Sequence, residues 1–409
     1  MQRTVRLLGI TACVAALGMT TPVAAHSATP AGEPASVASA SSSLAESGSG
    51  VVVVPADEAA LATHAERLVA AMSTRERAAS VVMGHIPTSD PATLHDYMSG
   101  DALGGFILMG ANVPGDEAGL RRVTDSLTID PALPPLIGID EEGGDVTRLP
   151  WDDFAGAVTL KNEPAAATAD AFAARGALLQ RGGATVNFGV VADVPADPDS
   201  FIFRRGLGTS PTAAAQREAA AVEGEAAAVA STLKHFPGHG AAPGDSHHML
   251  PTTDLPLEQW EQTDAVPFRA GIDAGAEVLM FGHLVFTAVD AAPATLSTEW
   301  HRIAREDLGF DGVAITDDLG MLQNTGDPRY ADPVANAVAA IAAGNDMVMS
   351  VMLSDAGTAS RIVDGITAAA DSGALPAERL AEAATRVTQL RLQQSPDALL
   401  PCPQCQPVG

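Results

Sequence analysis

Seven short apolar runs punctuate the chain: Gly105 to Leu108, Leu136 to Asp140, Thr185 to Asp193, Val229 to His235, Glu277 to His283, Val313 to Asp317 and Asp346 to Ser350. Ala-rich helical stretches separate them, which is the spacing of repeated βα units in one parallel sheet. Polar residues fall at a consistent place. Asp140, Asp193, Lys234 with His235, His283 and Asp317 each stand at the C-terminal end of a run. In a (β/α)8 TIM-type barrel those ends converge on one face, which carries the active site. A doubly wound sheet also alternates strands with helices, but it gathers its ligands at one crevice instead of spreading them over five strands. The expected fold is therefore α/β, a single (β/α)8 catalytic barrel.

Composition is consistent with that size. A chain of 409 residues with 46% hydrophobic content can bury one barrel-sized core or two ordinary ones. Its formal charge of −27 argues against nucleic acid and anionic membrane as partners, since both need a basic patch. Most Asp and Glu residues are expected on solvated faces.

The ends of the chain read differently from its middle. Residues 1–25 have the pattern of an export signal: Arg3 and Arg6, an apolar stretch from Leu7 to Met19, and the small residues Val23-Ala24-Ala25. That stretch is too short for a permanent membrane span. Cys13 is poorly placed for lipid attachment, because the apolar run continues past it. Residues 26–55 are rich in Ala, Ser, Thr, Gly and Pro, as in a flexible linker. The folded unit is expected over residues 56–395 and ends in an amphipathic helix near Pro376 to Gln393. A tail, 396–409, carries Cys402 and Cys405 in CPQC. In an exported chain a local disulfide is the expected state of that pair.

The densest chemistry lies in KHFPGHG and its continuation, where Lys234, His235, His239, Asp245 and His247 fall within fourteen residues. Only Lys161 and Lys234 are lysines. In Asp245-Ser246-His247, a carboxylate two residues from an imidazole can accept from one ring nitrogen and leave the other to exchange a proton. An Asp-His pair also decorates ordinary surface turns. Asp317 ends an apolar strand and suits a nucleophile, a metal ligand or a helix cap. His235 and His239 stand four apart, but Pro237 and Gly238 prevent a regular helix there, and no HExxH or cysteine cluster completes a coordination shell. No metal or other cofactor is expected.

Taken together, KHFPGHG followed by DSH, ITDDLGM at Ile315 to Met321, GIDEEGG at Gly138 to Gly144, PATLS at Pro293 to Ser297 and GGFILMGANV at Gly104 to Val113 resemble family 3 glycoside hydrolases, and most closely their β-N-acetylglucosaminidase branch. The resemblance is colinear from about Leu61 to Val348. It implies that Asp317 is the nucleophile of a retaining double displacement, that His247 is the acid/base and that Asp245 is its partner. Contacts to the N-acetylglucosamine ring are implied for Asp140, Arg148, Arg205, Lys234 and His235.

The implied activity removes terminal N-acetylglucosamine from muropeptides or chitooligosaccharides. A phosphorylase and a non-catalytic sugar-binding barrel are the alternatives. The small carbohydrate is the expected partner of a monomer that is secreted or associated with the cell wall. About 60 residues follow the last run, too few for the second sandwich domain of the family's other branch. Two departures stand out: Glu141 and Asp145 replace the family's common Gln and basic residue, which is expected to make the pocket more acidic. The sequence Arg205-Gly206-Leu207-Gly208 lacks the usual aromatic.

Overall fold

The computed structural model describes residues 58–395 except residue 196. The export signal, the linker, Cys13 and the Cys402/Cys405 pair lie outside the described residues.

Eight parallel strands form one sheet: β1 Val82–Gly84, β2 Gly105–Leu108, β3 Leu136–Ile139, β4 Val186–Val191, β5 Ala230–Phe236, β6 Val278–Phe281, β7 Val313–Thr316 and β8 Val348–Met349. Their spatial order is β8-β1-β2-β3-β4-β5-β6-β7. An isolated parallel bridge between Ile315 and Met347 joins the two ends, with Thr316 donating to the Met347 carbonyl at 3.1 Å, so the sheet closes into a (β/α)8 barrel. Seven strands coincide with the seven apolar runs. The eighth, β1, has only three residues and follows the helix Thr74–Ser80 without a turn signal.

Every residue of these strands is buried, as expected when the barrel interior covers one face and helices the other. Met83, Ile107, Phe188, Val278, Met280, Ile315 and Met349 belong to the cluster that fills the barrel. Phe188 needs the room left by a glycine. A Cβ on Gly138 of β3 would lie 2.4 Å from its ring, and that space lets one aromatic fill the interior. Larger clusters pack the outer strand faces against the helices. The helix Ala377–Gln393 buries Leu380, Val387 and Leu390 and accounts for the amphipathic pattern near the C-terminus. No helix among the described residues is long and apolar enough to cross a membrane.

Candidate active site

The C-terminal strand ends open into a cavity of about 250 Å³ lined by Asp140, Glu142, Arg148, Arg205, Lys234, His235, Ser246, His247, Asp317 and Asp318. Seven of the eight site residues implied by the family resemblance thus share one cavity. The eighth, Asp245, touches it through His247. The volume is below the ~300–1,000 Å³ of pockets for drug-sized ligands and suits a single sugar ring. A larger cavity, about 500 Å³, lies at the opposite end of the barrel beside Pro135, Thr185 and Val229. Its ionisable lining is limited to Arg121 and Asp125, which pair with each other. The size order therefore runs against the chemistry, and the strand-end cavity is the candidate site.

Asp317 directly follows β7. Its amide donates to the Phe281 carbonyl on β6 (2.9 Å), and its Oδ1 accepts the Asp318 amide (2.8 Å). Burial alone would push this carboxyl up. The Asp318 amide and the Lys234 ammonium oppose that effect, and the carboxyl lies below the ordinary carboxylate range. The helix-cap role open to Asp317 belongs to its neighbour. Asp318 Oδ1 accepts the amides of Gly320 and Val351 and Oδ2 that of Met352, which caps helix Leu319–Asn324 and pins the segment after β8. His283 donates from Nε2 to the Asp318 carbonyl (2.8 Å).

On the loop after β5, His247 Nδ1 lies 2.7 Å from Asp245 Oδ1, which also accepts the His247 amide (3.0 Å). With Nδ1 so occupied, Nε2 is the nitrogen left to exchange a proton. Burial would raise the Asp245 carboxyl, but the His247 amide and ring more than offset it, so the carboxylate form is favoured. Asn324, on the helix that follows Asp317, ties the loop to that side of the cavity by donating to the His247 carbonyl (2.6 Å). Gly244, at φ +111°, supplies the bend that leads the loop to His247.

Lys234 is 2% exposed and bonds Asp140 (2.9 Å) and Glu142 (2.7 Å). Arg205 grips Glu142 through two bonds, 2.9 and 2.7 Å, and Arg148 reaches Asp140 at 3.3 Å. Despite burial, Lys234 and Arg148 drive Asp140 down to about 2, and Lys234 and Arg205 likewise lower Glu142. The three cations that line the cavity thus share two carboxylates, each cation holding at least one of them. Sequence reasoning missed Glu142 because it read GIDEEGG as a motif instead of asking what each acid pairs with. The apolar wall of Met109, Met280, Met321, Met349 and Met352 was also missed, since nothing in the sequence separates these from the other methionines.

The expectation of a more acidic pocket is not met. Glu141 is fully buried beneath the site, and its Oε2 accepts the Arg148 and Leu149 amides (2.8 and 3.0 Å). Burial, with the Asp152 carboxylate adding, pushes it up to about 8, so it is uncharged at neutral pH. Asp145 is neutralised at the surface by Arg204 (2.5 Å). No group of three His, Cys, Asp or Glu among the described residues is arranged to hold a metal ion.

Residues 43–390 match the glycosyl hydrolase family 3 N-terminal domain. A β-hexosaminidase of Methylococcus capsulatus is 35% identical over 269 residues, covering 62% of this chain and 77% of that protein. Among solved structures, a family 3 β-N-acetylglucosaminidase from a Paenibacillus species superposes with a TM-score of 0.73 at 29% identity, over 80% of this chain and 63% of its own. The β-N-acetylhexosaminidase of Beutenbergia cavernae gives 0.69 at 27% identity, over 78% and 98%. With the match spanning most of its length and the strand-end site in place, the chain belongs to glycosyl hydrolase family 3.

Proposed function

We propose that this enzyme is a retaining exo-β-N-acetylglucosaminidase, with Asp317 as nucleophile and His247 as acid/base. The observation that carries the reading is the pairing, in one cavity, of a carboxylate held ionised against burial with an imidazole whose Nδ1 is occupied by Asp245. In the first step Asp317 attacks the anomeric carbon, the glycosidic C–O bond breaks, and the leaving oxygen takes the proton from His247 Nε2. In the second, His247 takes a proton from water, whose oxygen attacks the same carbon and frees Asp317. A neutral imidazole places no second negative charge beside the nucleophile. Asp140 accepts from ring hydroxyls, and Arg148, Arg205 and Lys234 donate to hydroxyl and carbonyl oxygens.

Hydrolysis is favoured over phosphorolysis because Asp317 adds a third carboxylate to Asp140 and Glu142, so the three cations lining the cavity leave no net positive charge for a phosphate. With the export signal read at residues 1–25, the natural substrates we propose are extracellular, muropeptides or chitooligosaccharides ending in N-acetylglucosamine. The test is turnover of p-nitrophenyl N-acetyl-β-glucosaminide against the matching glucoside, with and without phosphate. Preference for the N-acetylglucosaminide and indifference to phosphate are expected. Preference for the glucoside contradicts the substrate, and phosphate-dependent turnover contradicts hydrolysis.

A further inference from the structure

Asp193 lies two residues beyond β4, fully buried behind the cavity wall. Its Oδ1 accepts the backbone amides of His235 (3.3 Å) and His239 (2.5 Å), and its Oδ2 lies 2.7 Å from His235 Nδ1. A carboxylate oxygen only accepts, so His235 Nδ1 carries the hydrogen. The other side of the ring gives the same answer. His235 Nε2 is 3.4 Å from Arg205 Nη2, a group with only N–H to offer, so Nε2 presents its lone pair. Burial holds the ring well below the ordinary histidine range, and it stays neutral.

We infer that Asp193 is a positioning residue that fixes His235 as its Nδ1–H tautomer, so that Nε2 presents a lone pair, not an N–H, to the Arg205 guanidinium in the cavity lining and holds that guanidinium in place for the sugar. This rests on the reading of the cavity as a sugar site. Burial pushes the Asp193 carboxyl up to about 6, the His239 ring and the His239 and His235 amides limit the rise, and it is the charged member of its group at neutral pH. Glu218, on helix Pro211–Glu225, and Asp264 are both pushed up by burial, and the Asp193 charge adds to each shift. Both Glu218 oxygens and Asp264 Oδ1 have no hydrogen-bond partner among the described residues, as expected of acids that give way to a better hydrogen-bonded carboxylate. Asp193, by contrast, has three donors.

An asparagine at position 193 reverses the arrangement without changing its size. Two backbone amides face Oδ1, so the asparagine carbonyl takes that side and its NH2 faces Nδ1. The ring then becomes the Nε2–H form, a donor facing the donors of Arg205.

The test is nitrogen NMR of the 15N-histidine-labelled full chain, with His235 assigned by the signals lost in His235→Gln. Wild type is expected to show a protonated Nδ1 and a bare Nε2. In Asp193→Asn the two exchange, while circular dichroism is unchanged and kcat/KM on the N-acetylglucosaminide falls roughly 10- to 100-fold, as for one charge-assisted hydrogen bond. A wild-type Nε2–H ring, or a folded Asp193→Asn protein with the wild-type tautomer, overturns the inference. Should Asp193→Asn not fold, the wild-type spectrum alone decides. Wild type that does not cleave the N-acetylglucosaminide contradicts the proposed function and leaves the tautomer result standing.

Discussion

At the scale of single residues, Glu141 and His247 show how position decides what an ionisable group does. Glu141 Oε1 has no donor among the described residues and faces the Asp152 carboxylate, a contact that becomes a hydrogen bond only when Glu141 is protonated. Its folded pKa of about 8 lies above the unfolded value. The proton taken up on folding therefore stabilises the fold at low pH, and that contribution is lost as pH rises from about 4.5 toward 8. Glutamine keeps an acceptor for the two amides and a donor toward Asp152 without titrating. Glu141→Gln is thus expected to match wild type near pH 5 and to exceed it by ~1–3 kcal/mol at pH 8, measured by urea denaturation. A variant less stable at pH 8 contradicts the neutral-acid account. For His247, an acid acting on the leaving oxygen matters least when the leaving group is already good. His247→Ala should lose at least about 100-fold on a poor leaving group and far less on a nitrophenyl one. Equal losses would remove it from the acid role.

At the scale of elements, the strands and the residues at their ends were legible because each strand is a nearly uninterrupted apolar run that stops at a polar residue. β1 was not, because three residues between a helix and a loop carry no period to read. Side-chain partnerships were the other gap. Lys234 meets Glu142 across 92 residues of sequence, a contact made between the C-terminal ends of β3 and β5, with β4 between them, and by no local spacing. Glu141 was misread for the same reason: adjacency to Asp140 in sequence suggested a shared pocket, whereas successive side chains point to opposite sides. Strand packing also yields a stability prediction. Gly138→Ala sets a methyl against the buried Phe188 ring and should cost about 1–3 kcal/mol of unfolding free energy by chemical denaturation. Gly138→Ala combined with Phe188→Leu should recover part of that, whereas a neutral single variant would mean that the interior has slack.

Across the whole molecule, the barrel sets Asp317 directly after β7, Asp140 and Glu142 after β3, Arg205 after β4, Lys234 on β5 and His247 on the loop after β5, and closes them around one cavity. Sequence order alone set Asp317 70 residues from His247; closure of the eight strands brings them to one cavity. The central claim is that this closure makes Asp317 the atom donor to the anomeric carbon. The direct measurement is intact-protein and peptide mass spectrometry of the His247→Ala protein incubated with 2,4-dinitrophenyl N-acetyl-β-glucosaminide. Loss of the acid/base slows release of the sugar more than its attachment when the leaving group is this good. The account predicts one N-acetylglucosaminyl adduct on the peptide containing Asp317, absent when Asp317→Ala is added. An adduct on another residue, or turnover to the inverted anomer without any adduct, would contradict it.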